Sequence, residues 1–196
     1  MNIDPNQTWP IENSITFSKT KEAHGVLSNM AGQAIGLKPL VVSGITCRTA
    51  EHLYQALRYP DFPITQQKIL NEPSPLWAKK IARREDHLPQ CRPDWDMVNL
   101  DIMRFSIRVK LAQNYDLFGQ ELLLSDTNNI VEIAPKRSST GLFWGAEKHD
   151  LAFVGSNVMG QLLMELRQEL QTKTMYEMLI VPNFNIPNLT LLGQTL

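Results

Sequence analysis

The chain has 196 residues, of which 19 are basic and 20 are acidic, and 43% of the residues are hydrophobic. This length and composition fit one globular domain with a substantial buried core. No apolar run approaches the roughly 20 residues that cross a bilayer. Residues 1–7 (MNIDPNQ) also lack the basic and apolar regions of a signal peptide. The sequence therefore predicts a cytoplasmic protein that has no membrane partner.

The near-zero net charge argues against tight binding along a nucleic-acid duplex, which normally requires a basic excess. A small substrate, or a terminal or flipped nucleotide, fits this composition better. Cys47 and Cys91 have no Cys or His neighbours at metal-ligand spacing, and the four histidines form no i,i+4 pair. We therefore expect no metal site, no disulfide framework and no cofactor.

Residues 1–14 contain two prolines and no periodic pattern, which indicates a leader segment. Residues 15–18 read as a short strand, and residues 40–47 read as two strands joined by a Ser-Gly turn. Thr49 is a suitable N-cap for a helix that ends near Arg58. The last helix is predicted to begin after a cap at Ser156.

The remaining pattern is mainly helical. Further helices are predicted over 64–71, 75–85, 93–114 and 117–124, a short strand at 130–131, and a loop over 135–157. The fold class is therefore α+β, a mostly helical single domain with a small β element.

Glu51 lies in the first turn of the helix predicted after Thr49, where the helix dipole favours an ionised carboxylate. Gln55 and Arg58 follow at i+4 and i+7, so the three side chains share one stripe of the helix. A carboxylate, an amide and a guanidinium on one stripe can activate a water and orient a sugar hydroxyl or a phosphate. On this pattern alone, an ordinary first-turn acid with solvent-facing neighbours is the commoner interpretation.

Trp95 begins the apolar stripe of the helix over 93–114, together with Val98 and Ile102. Aromatic rings can stack on nucleobases, but this position favours a core role for Trp95. Lys110 lies on a partly apolar face of the same helix, and such lysines usually extend their ammonium group to solvent.

Three further features could bind an anion or a nucleotide. Each is interpreted more simply as a solvated helix face or as loop punctuation. They are the basic stripe of Lys79, Lys80, Arg83 and Arg84, the pair Ser28 and Asn29, and the loops over 138–145 and 155–157.

Taken in order, these motifs resemble the NADAR family, also called YbiA-like. The resemblance covers about residues 15–171, and several spaced motifs carry it where no single one would suffice. They are residues 27–29 (LSN), 49–56 (TAEHLYQA), Trp95 with Met103 and Lys110, 131–132 (VE), 143–145 (FWG), 155–157 (GSN) and 160–167 (GQLLMELR).

The resemblance implies a domain over 15–171, with a leader over 1–14 and a C-terminal extension over 172–196 that packs on the domain. It also implies an N-glycosidase that hydrolyses a ribosyl C–N bond in a small nucleotide-like substrate. That substrate would be ADP-ribose on a guanine base, in a nucleoside or in ADP-ribosylated nucleic acid, or a ribosylaminopyrimidine phosphate of riboflavin synthesis. The implied catalytic residues are Glu51 with an assisting Lys19 or Lys21, and the implied substrate-binding residues are Ser28, Asn29, Gln55, Arg58, Trp95, Trp144, Gly145 and Asn157.

One position departs from the family pattern. Gly141 stands where family members of the riboflavin pathway usually carry an Asp, two residues before the Phe143-Trp144-Gly145 unit. Either a nearby carboxylate (Glu132, Glu147 or Asp150) takes over its task, or the substrate differs. A nucleotide- or ADP-ribose-binding module without turnover is the alternative, and the oligomeric state does not follow from the sequence.

Overall fold

The computed structural model describes residues 1–134 and 139–196. Helices account for most of the regular structure in these residues. They are α1 (Ala50–Ala56), α2 (Pro63–Asn71), α3 (Pro75–Ala82), α4 (Trp95–Gln113), α5 (Gln120–Leu124), α6 (Ser139–Trp144), α7 (Val158–Thr172) and α8 (Met175–Leu179).

The strands are short and form small separate sheets. They are β1 (Thr8–Pro10), β2 (Ser14–Phe17), β3 (Leu40–Val42), β4 (Ile45–Cys47), β5 (Asn129–Glu132), β6 (Glu147–Lys148), β7 (Ala152–Val154), β8 (Thr190–Leu191) and β9 (Gln194–Thr195). The order β1-β7-β6 makes one antiparallel sheet, β2 and β5 pair in parallel, and the other four strands form two hairpins. The structure confirms the α+β, mostly helical fold class.

The chain divides into two compact units, of which the first comprises residues 1–28 and 115–178. Its parallel pair aligns Ile15 with Ile130 and Phe17 with Glu132, and α7 packs on β5. The apolar stripe of α7 is buried against this pair, as its periodicity predicts. A satellite core gathers around Trp9, whose indole Nε1 donates a hydrogen bond to the Gly155 carbonyl at 2.9 Å.

The second unit comprises residues 29–114 and 179–196. Helix α1 is its centre, because α2, α3 and α4 all pack against it. All seven residues of α1 are buried, including its polar ones. Thr49 caps the helix as predicted, with its hydroxyl accepting from the His52 backbone N–H. A helix covered on three sides must bury some polar side chains, so the second unit places polar groups where water is largely excluded.

Most predicted elements are confirmed, including the hairpin over 40–47 and the longest helix. The predicted loop over 135–157 is wrong in part, because α6, β6 and β7 lie within it; residues 135–138 fall outside the described residues. The predicted cap at Ser156 is also wrong, since α7 begins after Asn157, and α8 follows α7, so α7 is not the last helix. In the described part of the chain, no helix combines the length and the hydropathy that a bilayer crossing requires.

Candidate active site

Glu51 is the buried carboxylate of the second unit, with 2% of its surface exposed. Its Oε1 accepts a hydrogen bond from Gln55 Nε2 at 2.8 Å, and its Oε2 accepts one from Asn29 Nδ2 at 2.5 Å. Both donors are neutral amides. A carboxylate has about four acceptor positions, so these two bonds orient Glu51 and leave acceptor capacity for a water or a substrate.

The neighbours of Glu51 on the helix stripe do not face solvent. Gln55 is fully buried and Arg58 is 8% exposed, with Arg58 Nη1 donating to Gln55 Oε1 at 3.4 Å. The interpretation of Glu51 as an ordinary acid among solvent-facing side chains is therefore wrong. The predicted stripe is present as a chain of contacts from carboxylate to amide to guanidinium.

The Arg58 guanidinium lies over the Trp95 ring. The Arg58 guanidinium carbon is 4.5 Å from the centre of the Trp95 ring, within the range of a cation–π interaction. Arg58 Nε is buried and has no hydrogen-bond partner among the described residues. Trp95 is half-buried, whereas Val98 and Ile102 of the same stripe are buried. The prediction of a core role for Trp95 is therefore wrong. Trp95 is the first residue of the apolar stripe, and the buried part of the stripe begins only at Val98.

Tyr54 also belongs to this cluster, although the sequence did not point to a role for it in the site. Its ring centre lies 5.1 Å from that of Trp95 at an angle of 54°. Burial raises the pKa of its phenol, and the negative charge of Glu51 raises it further. The signal was present, since Tyr54 follows Glu51 at i+3 within the same motif, but an aromatic residue inside a helix is usually core.

His52 fastens the start of α1. Its Nδ1 lies 2.9 Å from the Thr49 hydroxyl, and its Nε2 lies 2.8 Å from the Glu72 carbonyl oxygen. A carbonyl can only accept, so Nε2 carries the proton and Nδ1 accepts from the hydroxyl. Burial lowers the pKa of His52, which keeps the ring neutral in this arrangement. The clamp joins the first turn of α1, which carries Glu51, to the end of α2.

Lys110 also differs from its expectation. The residue is 1% exposed, so its ammonium group does not extend to solvent. Burial lowers its pKa to about 7. Other polar residues of α4, such as Ser106 and Arg108, are buried as well, because α4 is covered on more than one face. By contrast, the predicted basic stripe is mainly solvated, as expected: Lys80 of α3 is exposed and Lys79 is half-buried, and Arg83 and Arg84 are exposed just after the helix ends at Ala82.

The other candidate residues lie in the first unit. Lys19 is exposed and ion-paired with Glu22 at 2.9 Å, which raises the pKa of Lys19, and Lys21 is also exposed. Ser28 is 4% exposed and follows the short 3-10 helix over Gly25–Leu27. The structure thus brings Asn29, Glu51, Gln55, Arg58 and Trp95 together in the second unit. The catalytic role of Lys19 or Lys21 stays a prediction.

Asn157 occupies a structural position in the first unit. It has a positive φ of 48°, Nδ2 donates to the Ile130 carbonyl at 2.8 Å, and Oδ1 accepts from the Glu132 N–H at 3.0 Å. These bonds tie the start of α7 to β5. Its backbone N–H also donates to the Gly145 carbonyl at 3.0 Å. Substrate binding by Asn157 would have to coexist with these bonds.

Near Gly141, the position that departs from the family pattern, Trp144 is half-buried. Its ring packs edge-on against Phe143, with 5.3 Å between the ring centres. Of the three carboxylates that could replace the missing Asp, Glu132 and Glu147 are half-buried and Asp150 is exposed. Ser138 lies outside the described residues. Among the residues that are described, no group of three or more His, Cys, Asp or Glu side chains could hold a metal ion.

The sequence of the chain is similar to those of several named proteins. The chain is 31% identical over 156 residues to the N-glycosidase YbiA of Escherichia coli, a stretch that covers 80% of the chain and 88% of the relative. It is 31% identical over 170 residues, or 86% of the chain, to a riboflavin biosynthesis protein of Vibrio vulnificus. A chloroplastic riboflavin biosynthesis protein of Zea mays matches 86% of the chain at the same identity. The chain spans 41% of the Vibrio protein and 27% of the maize protein.

The fold of the chain is also similar to that of a solved structure. The NMR structure of the Escherichia coli protein YbiA superimposes with a TM-score of 0.66 at 28% identity, covering 88% of this chain and 94% of the other. The family model of the NADAR domain matches residues 16–171. The chain therefore belongs to the NADAR family, whose members include proteins named N-glycosidases.

Proposed function

We propose that the protein is an N-glycosidase that hydrolyses a ribosyl C–N bond in a nucleotide-like substrate, with Glu51 as its catalytic carboxylate. The observation that carries the proposal is the buried Glu51 carboxylate, oriented by the neutral amides of Asn29 and Gln55. The N-glycosidase names of relatives at about 30% identity support the same class of reaction.

The chemistry follows from the charge that develops during the reaction. As the C–N bond breaks, its electron pair leaves with the base nitrogen and positive charge grows at the anomeric carbon. A carboxylate shielded from water stabilises that charge strongly, because its environment screens it less than bulk solvent does. Glu51 also accepts a proton from the attacking water, whose oxygen bonds to the anomeric carbon. The electron pair left on the departing base nitrogen takes a proton from a lysine, or is stabilised by hydrogen bonds from backbone N–H groups.

Arg58 and Trp95 fit the remainder of such a substrate. The buried Arg58 Nε has no partner among the described residues, so a phosphate or a sugar hydroxyl would supply the missing acceptor. The half-buried Trp95 ring, which already contacts the guanidinium, presents an aromatic surface to a base. We therefore place the anionic and planar parts of the substrate beside this pair.

The test compares the native protein with Glu51→Gln on two substrates, ADP-ribosylated guanosine and a ribosylaminopyrimidine phosphate, with the released guanosine or aminopyrimidine measured by chromatography. We expect at least a hundredfold loss of turnover in Glu51→Gln, roughly the contribution of a positioned acid–base group. Asp96→Asn is the matched control, since Asp96 is a first-turn acid of α4 but is exposed. Undiminished turnover in Glu51→Gln would exclude Glu51 as the catalytic carboxylate.

The same experiment separates an enzyme from a binding module. The replacement of the usual Asp by Gly141 favours the module as the second candidate function. Binding of ADP-ribose without release of base from any N-riboside would support it. Comparing turnover on an ADP-ribosylated oligonucleotide with turnover on the free nucleoside then decides whether the substrate is a polymer.

A further inference from the structure

The last eleven residues of the chain, residues 186–196, form a strap on the second unit. The strap contains the β8–β9 hairpin and buries three apolar side chains, Ile186, Leu189 and Leu191. It lies outside residues 16–171, which the family model matches. The strap therefore lies beyond the part of the chain that matches the family model.

Two buried polar residues fasten the strap, and Arg92 is the first of them. The residue is 5% exposed, and its guanidinium donates to the Pro187 carbonyl at 2.5 Å and the Asn188 carbonyl at 3.4 Å. The same guanidinium makes a two-pronged ion pair with Asp94 at 2.6 and 2.9 Å. Its geometry is thus determined partly by the backbone of the strap.

The backbone of Arg92 contacts the candidate active site. Its N–H donates to the Arg58 carbonyl at 2.9 Å, and its carbonyl accepts from the Trp95 N–H at 3.2 Å. Arg92 therefore joins the strap to both members of the Arg58–Trp95 pair. The connection therefore runs from the strap, through the Arg92 side chain and backbone, to the backbones of Arg58 and Trp95.

Gln66 makes the second connection. It is fully buried, and its Nε2 donates both to the Thr190 carbonyl at 2.8 Å and to the Ala56 carbonyl at 3.2 Å. Its Oε1 accepts from the Leu192 N–H at 2.6 Å. Ala56 is the last residue of α1, and its carbonyl also accepts from the Tyr59 N–H at 3.0 Å. Gln66 therefore joins the end of α1 to the strap through a single amide.

From these contacts we infer that the strap positions Arg58 and Trp95 through Arg92 and Gln66, and thereby sets the affinity for substrate. If the strap detaches, both buried side chains lose acceptors or donors and must rearrange, since unpaired buried polar groups are costly. The rearrangement reaches residues 56–58 and Trp95 first, whereas Glu51 keeps the hydrogen bond from Asn29, which lies outside this connection. Arg92 and Gln66 act as positioning residues.

The first variant of the test loosens the strap without altering either positioning residue. Leu191→Ala removes a fully buried side chain of the strap, and Leu166→Ala, which is 4% exposed, is the matched truncation in the first unit. With the N-riboside that the proposed function requires, Leu191→Ala raises KM roughly tenfold while kcat stays within about twofold, because misplaced binding groups weaken binding more than chemistry held elsewhere. Leu166→Ala leaves KM unchanged. Gln66→Leu, which removes the hydrogen bonds of the Gln66 amide to the strap, gives the same increase in KM.

Hydrogen exchange of the amides, measured on the same variants without substrate, provides a readout that does not depend on turnover. We expect Leu191→Ala to accelerate exchange in the strap and also at Tyr59, Arg92 and Trp95, whose N–H groups bond within the connection. Faster exchange confined to the strap, or an unchanged KM, would overturn the inference. If no N-riboside is turned over, the proposed function fails, and the exchange pattern alone decides whether the strap holds Arg58.

Discussion

Asn29 and Glu51 are joined twice, once through side chains and once through the backbone. Asn29 Nδ2 donates to Glu51 Oε2 at 2.5 Å, and the Glu51 N–H donates to the Asn29 carbonyl at 2.9 Å. Asn29 Nδ2 also lies 3.9 Å from Met103 Sδ, on the buried face of α4. The contact with Met103 therefore positions the Asn29 amide, and the amide in turn orients the Glu51 carboxylate.

The first prediction concerns this amide. Asn29→Ala removes one of two donors to the carboxylate, and we expect kcat on an N-riboside to fall roughly tenfold to a hundredfold, as for the loss of a hydrogen bond to a charged group. Steady-state kinetics measures the effect. Asn99→Ala is the control, because the Asn99 side chain donates to the Asp96 carbonyl of its own helix at the surface. Equal kcat in the two variants would mean that the Asn29 amide does not orient the catalytic group.

The second prediction concerns the aromatic wall. Trp95→Ala removes the ring on which the Arg58 guanidinium lies, and we expect substrate affinity to fall by about 1–2 kcal/mol. Isothermal titration with ADP-ribose measures it. The chain offers a close control in Trp77, which is exposed and has Lys80 Nζ 4.0 Å from its ring centre. A loss of affinity in Trp77→Ala that matches the loss in Trp95→Ala would contradict the placement of the substrate beside Arg58.

The third prediction is a pH dependence of stability. The folded-state pKa of His52 is lowered, mainly by burial, so the unfolded chain takes up a proton at higher pH than the folded one. The contribution of neutral His52 to the free energy of unfolding is therefore fully present above the ordinary histidine pKa of about 6.5, and it is lost as the pH falls below that value. Urea unfolding at pH 7.5 and 5.5 checks this, and His52→Gln should flatten the dependence. His149→Gln, at an exposed position, should leave it as in the native protein.

The fourth prediction concerns the contact between α7 and β5. A Cβ added at Gly160 would overlap the Ile130 carbonyl oxygen and the Asn157 side chain, neither of which can move without breaking a buried bond. We expect Gly160→Ala to destabilise the fold by about 3 kcal/mol. Thermal unfolding measures it, with Gly44→Asn as control. Gly44 has open space around it and a φ of +78°, which Asn tolerates, so a comparable loss there would contradict the steric explanation.

Several features of the candidate site could be predicted from the sequence because they depend on short spacing. Thr49 caps α1, and Gln55 and Arg58 share a stripe with Glu51, since these relationships follow from helix geometry over a few residues. Burial could not be predicted in this way. Lys110 and Trp95 were both assigned the wrong degree of exposure, because each depends on which elements cover α4.

The sequence by itself determined the local elements and the order of motifs that relates the chain to the NADAR family. The local elements depend on residues that are near one another along the chain, and the order of the motifs is read directly from the sequence. Only the tertiary structure decided that Glu51 is a buried carboxylate, that Asn29 from 22 residues away supplies one of its donors, and that residues 186–196 are fastened to Arg92. These contacts arise when α1 is enclosed by α2, α3 and α4, a closure that no local pattern specifies.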